Sequence, residues 1–182
     1  MCLECDGWSE DEIHASYDEL IAEYGWMVQH IGGGTIHEPP WSYTIGLSLG
    51  FDHPELVVVG LSPHLALGLL NDLGRRVRNG GIFRPGSLTE NRDETLEVAF
   101  GEVHPLLWEG PLLVGWRVYY ESRGLAPHQR ALQVVLPVDM VGPRAQRWQP
   151  CLHDPDCPIG RDDGRASRHP FQAHRRRIRR LH

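Results

Sequence analysis

The chain of 182 residues contains no lysine, so that all 18 of its basic residues are arginine. This bias is typical of a GC-rich coding genome. The sequence also lacks an apolar run of about 18 residues, the minimum for a membrane-spanning helix. Its N-terminus is acidic and does not resemble a signal peptide. We therefore expect a soluble, cytoplasmic protein with no membrane partner.

Established catalytic motifs are missing as well. The sequence has no nucleophile elbow, no phosphate-binding loop with its Lys-Ser/Thr pair and no metal-binding H-x-x-x-H helix. Gly32-Gly33-Gly34 is followed by Thr35-Ile36-His37 rather than by a helix, which favours a flexible turn over a phosphate cradle. The motifs therefore leave it uncertain whether the protein is an enzyme.

The stretch from Trp41 to Gly81 has the clearest structural pattern. Alternation of Tyr43, Ile45 and Leu47 with small polar residues predicts a half-buried strand, and turn formers follow at 49–54. The aliphatic run 56–59 predicts a second strand, covered on both faces. Ser62-Pro63 predicts a helix start with a hydroxyl cap, and a four-residue leucine repeat continues to Gly80. Within that helix, Gly68 and Gly74 suggest close approach of another element.

The remaining patterns complete an α+β fold. A capping box at Ser9–Glu12 predicts a helix to Tyr24, and 26–31, 94–103, 112–120 and 131–138 read as strands. Short connections favour antiparallel pairing. We expect a largely antiparallel sheet of about six strands with two main helices packed on it. Residues 1–138 would form this single domain, and 139–182 an irregular extension rich in Pro, Arg and His.

Charge is segregated along the chain. Residues 1–74 carry twelve acidic residues and no arginine, whereas 161–182 carry eight arginines against two aspartates. The tail is either a solvated segment that folds back on the acidic front half or an arm for an acidic partner. Interleaved aromatics, which single-strand binders use, are almost absent, so the case for nucleic acid is weak. The candidate contact residues are Arg175, Arg176, Arg177, Arg179 and Arg180.

The four cysteines offer one possible metal site. Cys2 and Cys5 form a C-x-x-C pair, and Cys151 and Cys157 lie in CLHDPDC near the other end. Together they could hold a structural Zn²⁺ that ties the two ends of the chain. Free thiols or a disulfide are the alternative, because the five residues between Cys151 and Cys157 are an irregular spacing for a zinc site.

A set of polar residues near the central block could line a ligand pocket. The candidates are Tyr43 on the first central strand, His53 and Glu55 at the following turn, and Asn71 on the helix. A histidine and a carboxylate together can perform acid–base chemistry. Eleven histidines in one chain also cluster by chance, so turn and surface positions are the competing interpretation.

Several spaced motifs resemble one bacterial and phage family. They are the N-terminal C-x-x-C, WSYTIGL from Trp41, HPELVVVGL from His53, Leu69-Leu70-Asn71 and Leu132-Gln133-Val134-Val135. In this order they resemble domain-of-unknown-function family 4262, over roughly residues 2–137. The resemblance implies a fold and no activity. The chain departs from the family at 136–142, where a Trp-Pro and a Gly-Arg-Phe-Pro-Trp type segment are expected.

Two functional hypotheses follow. The first is a non-enzymatic binding or regulatory module whose protein partner engages the acidic front or the Arg-rich tail. The second is a small-molecule- or cofactor-binding enzyme with a pocket near the Tyr43 strand and the His53–Glu55 turn, by analogy with flavin-binding split barrels. Missing catalytic motifs and segregated charge favour the first.

Overall fold

The computed structural model describes residues 9–32, 39–90, 97–105, 113–125, 130–137 and 140. These residues contain four helices and six strands. The helices are α1 (Glu10–Tyr24), α2 (Leu47–Phe51), α3 (Pro63–Arg78) and α4 (Val114–Ser122). The strands are β1 (Met27–Ile31), β2 (Trp41–Ile45), β3 (Glu55–Val59), β4 (Leu88–Glu90), β5 (Glu97–Glu102) and β6 (Ala131–Val135).

The six strands form one sheet in the order β1-β2-β3-β6-β5-β4. Four of its neighbouring pairs are antiparallel, and β3 and β6 alone run parallel, with Glu55 opposite Ala131. The predicted α+β class with a largely antiparallel sheet is therefore confirmed. The parallel pair arises because α3, β4, β5 and α4 all lie between β3 and β6 in the chain.

Helices cover both faces of the sheet. On one face, α1 and α4 pack against β2 and β3 through a cluster that includes Tyr17, Tyr43 and Trp116. On the other, α3 packs through Leu70 and Leu73 against Leu56 and Val58. Because successive residues of a strand point to opposite faces, the continuous run in β3 serves both clusters at once. This explains why β3 carries no exposed residue.

The ends of α1 follow the predicted chemistry. The Ser9 side chain accepts from the Glu12 backbone N–H at 3.3 Å, and the Glu12 carboxylate accepts from the Ser9 N–H at 2.8 Å. Gly25 ends the helix with φ 94°, a left-handed conformation that glycine adopts without strain. The capping box is confirmed. At α3 the start at Ser62-Pro63 is correct, but the Ser62 hydroxyl makes no capping hydrogen bond, so that detail was wrong.

Two assignments from the sequence pattern were wrong. Residues 112–120 were predicted as a strand, whereas Val114–Ser122 is helix α4. Its buried residues Trp116, Tyr119 and Tyr120 have the i, i+3, i+4 spacing of a helix face. Leu47 was predicted to end a strand and 49–51 to begin a turn, but these residues form α2. The short strand β4 was not predicted.

The two glycines of α3 differ in their surroundings. A Cβ at Gly74 would lie 2.4 Å from the Trp26 ring, so the predicted close approach is confirmed there. A Cβ at Gly68 would meet nothing within 4 Å among the described residues, so the prediction was wrong for Gly68. None of the helices in the described ranges is both long enough and apolar enough to span a bilayer.

Candidate functional site

Glu55, the first residue of β3, is the most completely enclosed charged group among the described residues. Its relative exposure is 0%, and its two carboxylate oxygens lie within 3.4 Å of six N–H or O–H groups. These groups are Thr44 Oγ1 at 2.6 Å, the backbone N–H groups of Gly46, Leu47 and Ser48 at 3.0, 3.4 and 3.1 Å, Ser48 Oγ at 2.9 Å and Tyr120 OH at 3.1 Å. The two hydroxyls lie 2.6 Å apart, so one of them donates to the other and five of the six groups can donate to Glu55 at once.

The turn between β2 and α2 presents these donors. Gly46 has φ 118°, and a Cβ there would lie 2.9 Å from the Gly25 carbonyl oxygen. This tight turn aims the first free N–H groups of α2 at the Glu55 carboxylate, which serves as their acceptor from outside the helix. Burial raises the pKa of Glu55, while hydrogen bonds from Thr44, Ser48 and Gly46 oppose that rise. The three backbone groups that contact the carboxylate are donors, so their hydrogen bonds favour its ionised form, while burial, the larger effect, favours the neutral form.

Tyr43, on the neighbouring strand β2, contacts the start of α4. Its hydroxyl accepts from the backbone N–H of Gly115 at 3.2 Å, and the side chain is 1% exposed. A Cβ at position 115 would lie 2.8 Å from this hydroxyl. Burial raises the pKa of Tyr43, so the phenol stays neutral in the folded protein. Tyr43 thus anchors the start of α4 to the sheet.

His53 is held as a neutral ring. Its Nδ1 lies 2.7 Å from the Pro54 carbonyl oxygen, which only accepts, so Nδ1 carries the proton. Its Nε2 accepts from the Phe83 N–H at 3.1 Å. Burial lowers the pKa of His53, in agreement with the use of Nε2 as an acceptor. The imidazole joins the turn before β3 to the segment that follows α3.

Asn71 on α3 is half-buried and accepts from Trp26 Nε1–H through its Oδ1 at 3.0 Å. The same indole ring lies against Gly74 and has the Arg78 guanidinium 5.7 Å from its centroid. Asn71 therefore helps to orient the tryptophan that follows α1.

The structure separates the four candidate ligand residues into two pairs. Tyr43 and Glu55 lie on the face covered by α1 and α4, since Tyr43 belongs to that cluster and Glu55 contacts Tyr120. His53 and Asn71 contact Phe83 and Trp26, which belong to the α3 face. The sheet lies between the pairs, and each side chain already has a partner within the fold. Their role in ligand binding stays a prediction.

Other sequence-predicted sites fall outside the described residues. This applies to Cys2, Cys5, Cys151 and Cys157, and to the arginine cluster 175–180. Within the described ranges, no group of three or more His, Cys, Asp or Glu side chains is arranged to hold a metal ion. The zinc site and the polyanion contact stay predictions.

A polar cluster that the sequence did not reveal fastens α1 to α4. The Asp18 carboxylate accepts from Tyr119 OH at 2.7 Å and from Arg123 Nε at 2.9 Å, and it also contacts Arg123 Nη2. The Arg123 guanidinium lies 4.3 Å from the Tyr119 ring centroid. The hydrogen bond from Arg123 lowers the pKa of Asp18, and burial raises the pKa of Tyr119 to about 12.

The opposite side of α1 is exposed. Leu20 and Tyr24, one turn apart, retain 41% and 47% of their accessible surface, and Glu19 and Glu23 beside them are also exposed. We call these four residues the outer flank of α1. Leu20 lies about 160° around the helix from Asp18, which faces α4. The outer flank is therefore an apolar pair bordered by carboxylates on a helix with no arginine.

Comparison with known proteins gives one result. The model of a family described as a domain of unknown function, DUF4262, matches residues 20–140. The match runs from the end of α1 to just beyond β6, so it includes Glu55, its donors and three of the four residues of the outer flank, Leu20, Glu23 and Tyr24. None of the curated proteins and none of the solved structures matches the chain.

Proposed function

We propose that this chain, which belongs to domain-of-unknown-function family 4262, is a non-enzymatic protein-interaction module. Its binding surface is the outer flank of α1, and its partner is a positively charged segment that also carries aliphatic residues. The observation that carries this proposal is the exposed Leu20–Tyr24 pair beside the exposed carboxylates of Glu19 and Glu23.

The internal use of polar groups supports a binding role over catalysis. A catalytic acid or base must reach the proton that it transfers. Glu55, Tyr43 and His53 are each at most 4% exposed, and their polar atoms hydrogen bond to the fold itself. These groups stabilise the domain, and the surface is left to recognise a partner.

The chemistry of the outer flank indicates the kind of partner. Large apolar side chains supply most of the energy at protein interfaces, and Tyr is enriched among the strongest contributors. Carboxylates at the rim select a partner of opposite charge and speed its approach. All six acidic residues of α1 are exposed: Glu10, Asp11, Glu12, Asp18, Glu19 and Glu23. An Arg-rich segment with leucine or isoleucine side chains satisfies both features.

A direct test uses the full chain and a fluorescent amphipathic peptide of Arg and Leu. A matched peptide with Glu in place of Arg is the specificity control. We expect the basic peptide to bind, and Leu20→Ser/Tyr24→Ser to weaken its binding at least about thirtyfold, since each hot-spot side chain contributes about 1 kcal/mol or more. The control variant Ile82→Ser/Leu88→Ser removes two apolar residues that are 69% and 63% exposed, and it should bind as the wild type does.

Other outcomes of this test would contradict the proposal. Equal binding of both peptides, or equal losses in both variants, would mean that the outer flank has no special role. Native mass spectrometry of the purified chain addresses the competing hypothesis. A bound small molecule that is lost on Tyr43→Phe but retained on Leu20→Ser/Tyr24→Ser would favour a ligand pocket at the Tyr43 strand instead.

A further inference from the structure

The segment 175–182 has the composition that the outer flank of α1 should bind. It reads RRRIRRLH, with five arginines, two aliphatic residues and no acidic residue. It lies outside the described residues. The outer flank has the reverse pattern, in which the apolar pair Leu20 and Tyr24 is bordered by Glu19 and Glu23.

Two features of the described chain favour α1 as the partner of this segment. First, α1 has six exposed carboxylates and no arginine. They outnumber Arg78 and Arg123, which contact α1 at the Tyr24 carbonyl oxygen and the Asp18 carboxylate, so an arginine-rich segment is attracted to α1. Second, α1 supplies exposed apolar area beside its charges, and charge alone would hold an exposed segment only weakly.

The connecting chain is long enough for intramolecular contact. Residues 141–174 separate Met140 from the arginine cluster, and a chain of this length reaches at most about 110 Å. A domain of this size has a radius of gyration of about 14 Å. Chain length therefore places no limit on where the segment can dock. A tethered segment also has a high effective concentration, on the order of millimolar for short linkers and lower for longer ones.

We infer that residues 175–182 dock on the outer flank of α1 within the same chain and compete there with an external partner. Ile178 and Leu181 would cover Leu20 and Tyr24, and the arginines would pair with Glu19 and Glu23. This inference rests on the proposed function and adds a regulatory role: the chain occupies its own binding surface until a partner of higher affinity displaces the tail.

The test is the rate at which trypsin cleaves the full-length native chain after Arg175–Arg180, followed by mass spectrometry. We expect Glu19→Gln/Glu23→Gln to raise this rate about fivefold, which corresponds to about 1 kcal/mol for two exposed ion pairs. High salt should raise the wild-type rate towards that of the variant and change the variant little. The control Glu97→Gln/Glu102→Gln makes the same change of charge on β5 and should leave the rate unchanged.

Four results would overturn the inference. The first is equal cleavage of the wild type and the α1 variant, and the second is an equal increase in the control. The third is protection that grows with protein concentration, which would place the tail on a second copy. Protection that requires added single-stranded oligonucleotide would likewise favour a nucleic-acid arm. If the tail is unprotected but Leu20→Ser/Tyr24→Ser still weakens binding of the basic peptide, autoinhibition fails and the proposed function stands.

Discussion

Removal of the Glu55 carboxylate should destabilise the domain more than almost any other single change of charge. In Glu55→Ala the backbone N–H groups of Gly46 and Ser48, at 3.0 and 3.1 Å, and the Thr44 hydroxyl, at 2.6 Å, lose the carboxylate as their acceptor. The hydroxyls of Ser48 and Tyr120 retain each other at 2.6 Å, so they contribute less to the cost.

The size of the effect follows from these contacts. A buried donor left without an acceptor costs about 1–3 kcal/mol. Two backbone donors therefore cost about 2–6 kcal/mol, and loss of the buried charge offsets a part of this. We expect Glu55→Ala to lower the free energy of unfolding by about 3 kcal/mol. Glu55→Gln keeps one acceptor oxygen and should cost about 1–2 kcal/mol.

Urea unfolding followed by circular dichroism measures both variants, with Glu97→Gln as an exposed control expected within about 0.5 kcal/mol of wild type. Amide hydrogen exchange at residues 46–48 should accelerate in Glu55→Ala before global unfolding. A Glu55→Gln protein at least as stable as wild type would refute the reasoning, because the second acceptor oxygen would then contribute no net stability. So would unchanged exchange at 46–48.

Three further predictions follow from other contacts. Burial lowers the pKa of His53, so at mildly acidic pH the unfolded chain binds a proton that the folded chain does not. The free energy of unfolding should therefore fall as the pH drops below about 6.5, the ordinary pKa of histidine. His53→Gln should remove this pH dependence, as measured by urea unfolding between about pH 5 and pH 8. In α3, Gly68→Ala should stabilise the domain by up to about 1 kcal/mol, as measured by thermal unfolding. Gly74→Ala should destabilise it by about 1–3 kcal/mol, because the new Cβ would clash with Trp26. Equal effects of the two variants would contradict the close contact between Gly74 and Trp26. Asp18→Asn should cost about 0.5–1 kcal/mol at low salt and less at high salt, with Glu97→Gln as the exposed, charge-matched control.

The elements of the fold that the sequence predicted are those with a single clear period. The strands β2 and β3 and the helix α3 have flanking turn residues and patterns that fit only one structure. Residues 112–120 were ambiguous, because apolar residues at 114, 116, 118 and 120 suit a strand while Trp116, Tyr119 and Tyr120 suit a helix. Both periods include positions 116 and 120, so local pattern could not decide between them. Packing against β2 and β3 selects the helix.

The polar contacts were less predictable than the elements. Asp18 and Arg123 are 105 residues apart in the chain. The sheet on which α1 and α4 lie side by side includes the parallel pair of β3 and β6. No local signal encodes that approach. The sequence analysis grouped four residues into one candidate pocket because they are close in sequence: Tyr43, His53, Glu55 and Asn71. Alternation along β2 and β3 shows which side chains share a face, but it does not show which helix covers that face.

One sequence signal nevertheless bears on Glu55. Because side chains alternate along a strand, those of Glu55, Val57 and Val59 lie on the same face. The aliphatic run predicts that both faces of this strand are covered. A carboxylate on that face of the strand is therefore expected to be buried, and a buried carboxylate requires hydrogen-bond donors within the protein. Its two oxygens offer about four lone-pair sites, and five groups of the protein can donate to them at once, because one of the Ser48 and Tyr120 hydroxyls donates to the other. No acceptor capacity is left for a substrate. The same pattern that drew attention to Glu55 therefore argues that it holds α2 and α4 on the sheet, and that recognition belongs to exposed surfaces such as the outer flank of α1.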